Sequence, residues 1–367
     1  MVRRQRAMED LEMSASQPSA HFWADKRVLV TGHTGFKGSW LVMLLRRLGA
    51  SSVTGISLPP TTSPNLYSLA DIDRICDSHF CDIRDLDQFK ALVRTAAPDV
   101  VFHLAAQPLV RASYRDPVAT FATNVMGTVN VLESLRDLCG VKVAVMITTD
   151  KVYDNHEWSW PYRESDALGG HDPYSASKAC SEMVINSYRD AFLASQGVRL
   201  ASARAGNVIG GGDWSEDRLL PDAVRAWLAG RAVTIRHPRA IRPWQHVLDP
   251  LAGYVVLAER LWETPTLAGA FNFGPQTSEA ATVGEVLALA QRSFGTGEVI
   301  HSENNELHEA GRLSLETAKT RELLGVQPRW GLRTSVARTM HWYRLQAEGT
   351  AAAVLCEADI SAWEAGP

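Results

Sequence analysis

Short apolar runs alternate with longer stretches whose apolar residues recur every three to four positions. Arg27-Val28-Leu29-Val30 leads into Thr31-Gly32 and predicts a buried parallel strand. Residues 38–48 carry a helical period, and Gly49 stands where a C-terminal cap glycine belongs. Residues 52–56 predict a second strand. The alternation continues with a helix over 86–96, a strand over 100–104, a helix over 125–138 and a strand over 143–147. A long helix over 174–194 and a strand over 199–203 close this half. Strands alternating with helices of this length build βαβ units around a parallel sheet.

After Gly206 the pattern loosens. Gly210-Gly211-Gly212-Asp213-Trp214 predicts a loop, 223–228, 251–261 and 283–294 predict helices, and 271–273 predicts a strand. The expected fold is therefore α/β, a doubly wound parallel sheet with a smaller C-terminal substrate lobe. Residues 23–205 form the dinucleotide domain, with segments near 245–275 returning to it. Residues 206–244 and 276–350 form the lobe, and 351–367 a tail. Residues 1–22 hold Arg3, Arg4 and Arg6 but no apolar stretch behind them, which predicts a mobile extension rather than a signal peptide.

Composition narrows the function classes. The chain has 367 residues, enough for a large core, and a net charge of −4, which does not point to nucleic acid. Its cysteines (Cys76, Cys81, Cys139, Cys180, Cys356) form no CxxC pair, so a reduced, cytoplasmic setting is expected. The histidines show no metal-ligand spacing, and no metal is expected. No apolar run approaches the length of a membrane helix.

The first chemical signal is Thr31-Gly32-His33-Thr34-Gly35-Phe36-Lys37-Gly38. Its glycines stand at i, i+3 and i+6, after a strand and at the start of a helix. Such glycines allow a tight turn, let backbone approach a pyrophosphate, and expose a helix N-terminus to it. An ordinary glycine-rich turn is the bland alternative. The second strand should end in an acid for the ribose hydroxyls, yet Gly55-Ile56-Ser57-Leu58-Pro59 holds none. This leaves two readings: NADP, with Lys37 or a later basic residue near its 2′-phosphate, or Ser57 bonding the ribose directly. Asp82 reads equally as a partner of the adenine amino group and as a plain turn carboxylate.

The second signal is Tyr174 and Lys178, four residues apart on one helical face. An ammonium there is expected to favour tyrosinate, making Tyr174 a general base. The strand at 143–147 ends in Thr148-Thr149-Asp150-Lys151, and ligands of open α/β sheets bind beyond the carboxyl ends of strands. Both sets therefore face one crevice. Arg204, Asn207, Arg218, Arg242 and Gln245 are candidate substrate ligands, arginine being suited to a diphosphate; surface or inter-lobe pairing is their alternative role. Trp158 and Trp160 either cap the site or pack the lobes.

The glycine motif, His103-Leu104-Ala105-Ala106-Gln107, Thr149 and the Tyr174/Lys178 pair resemble the extended short-chain dehydrogenase/reductase superfamily. Longer segments are similar to its nucleotide-sugar 4,6-dehydratases. They are Thr149-Asp150-Lys151-Val152-Tyr153, the run from Asn155 through Glu157-Trp158, Trp160 and Tyr162-Arg163-Glu164, then Leu168-Gly169-Gly170 and Asp172-Pro173-Tyr174-Ser175. Later come Ala205-Gly206-Asn207-Val208-Ile209 with the following glycines, and Arg242-Pro243-Trp244-Gln245-His246-Val247. The similarity runs from about Trp23 to the tail.

The resemblance implies NAD despite the missing acid. It implies cofactor contacts from Gly32, Thr34, Gly35, Phe36, Lys37, Gly38, Ser57, Asp82, Ile83, Leu104, Ala105, Ala106, Gln107, Asn124, Tyr174 and Lys178. It implies that CDP-D-glucose loses water to give the 4-keto-6-deoxy sugar nucleotide, with NAD restored in each turnover, for deoxysugar (lipopolysaccharide-type) biosynthesis. Tyr174 takes the 4-OH proton, Thr149 bonds the 4-oxygen, Asp150 is the acid for the leaving 6-OH and Lys151 the base at C5. Related dTDP- and GDP-sugar enzymes carry glutamate at the Lys151 position, so lysine marks the CDP branch. A homodimer or homotetramer paired through the helices near 126–138 and 174–194 is also implied. Three other readings remain: a nucleotide-sugar 4-epimerase, an NAD(P)H-consuming reductase, and a non-catalytic dinucleotide sensor.

Overall fold

The structure, a computed structural model, describes residues 17–301 and 310–366. Its centre is a seven-stranded sheet in which all neighbouring strands run parallel. The strands are β1 (Arg27–Thr31), β2 (Ser52–Ser57), β3 (Asp77–Phe80), β4 (Val100–His103), β5 (Val143–Ile147), β6 (Arg199–Ala205) and β7 (Ala270–Phe273). Their order is β7-β6-β5-β4-β1-β2-β3, so the chain reverses direction across the sheet between β1 and β4. That switch point opens a crevice at the carboxyl ends of the strands.

The strands read as continuous apolar runs because both faces are covered. On one face Val28, Val30, Phe102 and Val145 pack with α1 (Phe36–Arg47) and, further along the chain, with residues 248–263. On the other, Leu29, Val101, Ala144 and Met146 meet α2 (Leu86–Ala96), α3 (Gly127–Leu135) and α4 (Pro173–Tyr188). Two helices expected as continuous are interrupted. Single π turns at Ala122–Met126 and Arg189–Leu193 precede α3 and follow α4.

The second lobe holds α5 (Leu219–Leu228), α7 (Val283–Phe294) and α8 (Leu332–Ala347), with three two-stranded pairings around them. Between α5 and α7 the chain returns to the sheet through α6 (Leu248–Glu263) and β7. Residues 352–365 are a further helix, α9, which buries Cys356, Ile360 and Trp363 in the main core. Of the extension expected over 1–22, residues 1–16 lie outside the described residues. From Ser19 the chain is anchored: its N–H and the Trp23 indole both donate to Glu259 of α6, at 2.8 and 2.6 Å.

Candidate active site

A cavity of about 810 Å³ lies over the carboxyl ends of β1, β4, β5 and β6, roofed by the second lobe. Its floor begins with the glycine turn. Gly32 has φ +78°, and a Cβ there would stand 2.7 Å from the backbone nitrogen of Ala105. A Cβ on Gly38 would stand 2.1 Å from the Gly32 carbonyl oxygen. The first turn of α1 therefore rests directly on the end of β1. The buried Thr31 hydroxyl ties this turn to the end of β4, accepting from Leu104 N and Ala105 N at 3.1 Å each and pairing with His103 Nδ1 at 2.8 Å. Burial pushes His103 down to about 3, so it is a neutral framing residue.

Where the second-strand acid is missing, Thr34 donates to the Leu58 carbonyl at 2.8 Å and pairs with the Ser57 hydroxyl at 2.8 Å. With its proton committed to Leu58, Thr34 accepts from Ser57. Asp82 lines the cavity but is gripped by Arg84, whose Nη2 lies 2.6 Å away, and this bond holds the carboxyl below its ordinary value. Phe36, Ile83, Leu104, Ala105, Ala106 and Gln107 also line the cavity. Asn124 is buried outside the lining. Its amide accepts from Gln107 N at 2.8 Å and donates to Ser177 Oγ at 2.9 Å, so it positions the loop after β4. Lys37, considered above for a 2′-phosphate, lines the cavity as well. Its ammonium donates to Tyr254 Oη of α6 at 3.1 Å. Burial, then the charges of Arg218 and Lys178, bring it down to about 7.

Tyr174 and Lys178 enter from the first turns of α4, which starts at Asp172 as N-cap and Pro173. The phenol is not depressed as expected. Burial pushes Tyr174 up to about 12, against the opposing effects of Thr149 and Arg218. Desolvation outweighs the nearby charge, and the Lys178 ammonium is occupied with the Ile147 carbonyl at 3.3 Å. Burial brings Lys178 itself down to about 8.

The turn Asp150–Val152 follows β5 and is capped by Thr149. Asp150 is buried, and its Oδ1 accepts from Thr149 Oγ at 2.9 Å. Its Oδ2 is buried without a hydrogen-bond partner and faces Gly206, where a Cβ would come within 2.5 Å. Lys151 is half-buried on the cavity wall. Thr149, Asp150, Lys151, Tyr174 and Lys178 thus share one cavity.

The substrate candidates divide. Asn207, Arg218 and Arg242 line the cavity. Arg218 is held by Asp213 at 2.9 Å, and that charge raises its pKa. Arg204 and Gln245 do not line it. Arg204 is 2% exposed and ion-paired to the fully buried Glu182 at 2.8 Å, because its side chain leaves β6 on the face covered by α4. The Gln245 amide donates to the Phe273 carbonyl at 3.0 Å and joins β7 to the lobe. Trp158 and Trp160 also stay off the cavity, stacked at 5.0 Å, with Trp158 stacked on Tyr162 at 4.9 Å. They pack the insert rather than cap the site. Gly206, Asp213 and Glu182 were missed. The signal for Glu182 was available: it continues the Tyr174, Lys178 spacing by another four residues.

Comparisons with known proteins show the family. The model of the NAD dependent epimerase/dehydratase family matches residues 28–274. The chain is 44% identical over 349 residues to the CDP-glucose 4,6-dehydratase of Salmonella typhimurium, covering 93% of this chain and 97% of that protein. It is 27% identical to the UDP-glucose 4-epimerase of Mycolicibacterium smegmatis, over 88% of this chain and 100% of that one. Among solved structures, the dTDP-glucose 4,6-dehydratase of Streptomyces venezuelae with NAD bound superposes with a TM-score of 0.76. That pair shares 27% identity, covering 88% of this chain and 98% of the other.

Proposed function

Because this chain belongs to the NAD dependent epimerase/dehydratase family, we propose that it is a nucleotide-sugar 4,6-dehydratase that uses NAD and takes CDP-glucose. The observation that carries this reading is the turn holding Asp150 and Lys151 in the cavity with Tyr174, Lys178 and Thr149. A 4-epimerase would use Tyr174, Lys178 and Thr149 alone and would leave the other two without a task.

The residues present fit the cofactor. The cradle at Gly32 and Gly38 has no room for a Cβ, which suits close approach of a pyrophosphate to backbone N–H groups. Ser57 lines the cavity where a ribose-binding acid would stand, and the Lys37 ammonium is taken up by Tyr254, which suits NAD over NADP. What NAD supplies when bound is a two-electron acceptor that is restored within the turnover.

The protein's own groups carry the protons. Tyr174 takes the proton of the sugar 4-OH, Thr149 and Arg218 opposing the burial that raises its phenol. Thr149, whose hydroxyl donates to Asp150 Oδ1 here, would turn to the 4-oxygen. A ketone at C4 acidifies the C5 proton, which Lys151 removes. Asp150, whose buried Oδ2 has no hydrogen-bond partner, gives a proton to the departing 6-OH, and water leaves. Lys151 then gives its proton back at C5, and the proton taken up by Tyr174 balances the one that Asp150 spends. Arg218 and Arg242 are the remaining cavity arginines of the original candidates, placed for the diphosphate.

Among the described residues no helix is long and apolar enough to cross a membrane. A cytoplasmic homodimer completes the reading. Val118, Met126 and Met183 are 78%, 53% and 55% exposed on packed segments around α3 and α4, an apolar surface suited to a second copy. The test is a donor panel with the wild type and Lys151→Ala. Wild type should convert CDP-glucose in preference to UDP-, dTDP- and GDP-glucose. Lys151→Ala should bind NAD as before and lose dehydration by about 10²–10⁴-fold. A variant with wild-type turnover would remove Lys151 from the mechanism.

A further inference from the structure

The catalytic turn is short, polar and at the end of a strand, yet it must hold Thr149, Asp150 and Lys151 against groups borne by a different element, α4. One buried ion pair lies beneath both. Glu182 is fully buried on α4, on the same face as Tyr174 and Lys178, at steps of four residues. Its Oε1 accepts from Thr148 Oγ at 2.5 Å, and its Oε2 accepts from Ser202 Oγ at 2.7 Å and Arg204 Nη2 at 2.8 Å. Arg204 continues from β6 to the other side of the turn. Its Nη1 donates to Tyr153 Oη at 2.9 Å and to the Glu164 carbonyl at 3.1 Å. Tyr153 Oη in turn donates to Asn272 Oδ1 on β7 at 2.6 Å.

The geometry assigns Glu182 and Arg204 a role as positioning residues: they grip the catalytic turn by its two shoulders, Thr148 before it and Tyr153 after it, and lock it to the helix that carries Tyr174 and Lys178. Neither touches the cavity. Two charges buried at this depth are retained at a desolvation cost that apolar packing would avoid, so a stability role alone is a weak reason for them. Their bonds span α4, β5, β6 and the segment after the turn. That linkage is what sets the carboxyl of Asp150 and the amine of Lys151 relative to Tyr174. A shift of about 1 Å between such groups costs about 10²-fold in rate.

This inference rests on the dehydratase reading, and the wild type separates the two: if it dehydrates no sugar nucleotide, that reading has failed first. With an active wild type, the shoulders are released one at a time by near-isosteric changes, Thr148→Val and Tyr153→Phe. Each should lower kcat for CDP-glucose dehydration by about tenfold or more, with KM and NAD affinity within about twofold. Exchange of the sugar C5 proton with deuterated solvent should fall in parallel. Thr148→Ser, which keeps the hydroxyl, should restore kcat to within about threefold. If Thr148→Val does not fold, Tyr153→Phe decides alone. Folded variants with kcat within about twofold of wild type would overturn the assignment. So would a loss that Thr148→Ser leaves unrescued.

Discussion

Gly206→Ala tests the placement of Asp150 with the smallest possible change. Gly206 is not in the left-handed region, so alanine brings no backbone strain and its effect comes from contact alone. The added Cβ would lie 2.5 Å from Asp150 Oδ2 and 2.6 Å from Pro243 Cγ. Relaxing the first contact to an ordinary 3.4 Å moves the carboxylate by about 0.9 Å. The Pro243 ring is rigid, so the carboxylate is the group that gives. A displacement of that size at a proton-donating group corresponds to about 10²-fold in rate, or about 2.7 kcal/mol of activation free energy. Steady-state turnover of CDP-glucose with saturating NAD measures it, with cofactor affinity and the thermal midpoint as controls. We expect kcat to fall by that order while NAD affinity holds. Turnover within about threefold of wild type would refute the placement of Asp150 as the acid.

Three further outcomes follow from the same coordinates. Gly38→Ala forces a Cβ against the Gly32 carbonyl at 2.1 Å, so NAD binding, followed by calorimetry, should be lost or fall by orders of magnitude. Asp150→Asn keeps the volume of the side chain but cannot donate a carboxyl proton, so dehydration should drop by about 10²–10⁴-fold with sugar-nucleotide affinity retained. Burial pushes the Glu259 carboxyl up to about 7 from 4.5. A raised folded-state pKa contributes stability below the unfolded value, and that contribution is lost as pH rises through the folded one. The thermal midpoint should therefore decline between pH 5 and pH 7.5, a window read from that shift. Glu259→Gln should make this slope shallower, the raised carboxyls of Asp249 and Asp359 supplying the rest, and an unchanged slope would count against the Glu259 latch on Ser19 and Trp23.

Much of the fold was legible because its signals are local. The apolar runs of β1, β4 and β5 announce strands buried on both faces, and the periods of α2 and α7 fix those helices residue for residue. The π turns at Ala122–Met126 and Arg189–Leu193 were not legible, since a single widened turn has no composition or cap signal of its own. In the site, motifs on one element were readable: the glycine turn, the Tyr174/Lys178 face and Thr149-Asp150-Lys151. Properties that depend on two distant elements were not. Arg204 looked like a ligand because its partner Glu182 lies on another element. Tyr174 looked acidic because a neighbouring lysine is visible in sequence while burial is not. Arg84 took the Asp82 carboxylate from only two residues away, a pairing that motif spacing does not express.

The most direct test of the central claim is the mass of the sugar nucleotide after incubation of the protein with CDP-glucose and a trace of NAD. Loss of one water from nearly all of the CDP-glucose, with no net consumption of NAD, is the predicted result. An unchanged mass with inverted sugar stereochemistry, or a product reduced at the expense of added NADH or NADPH, would contradict it.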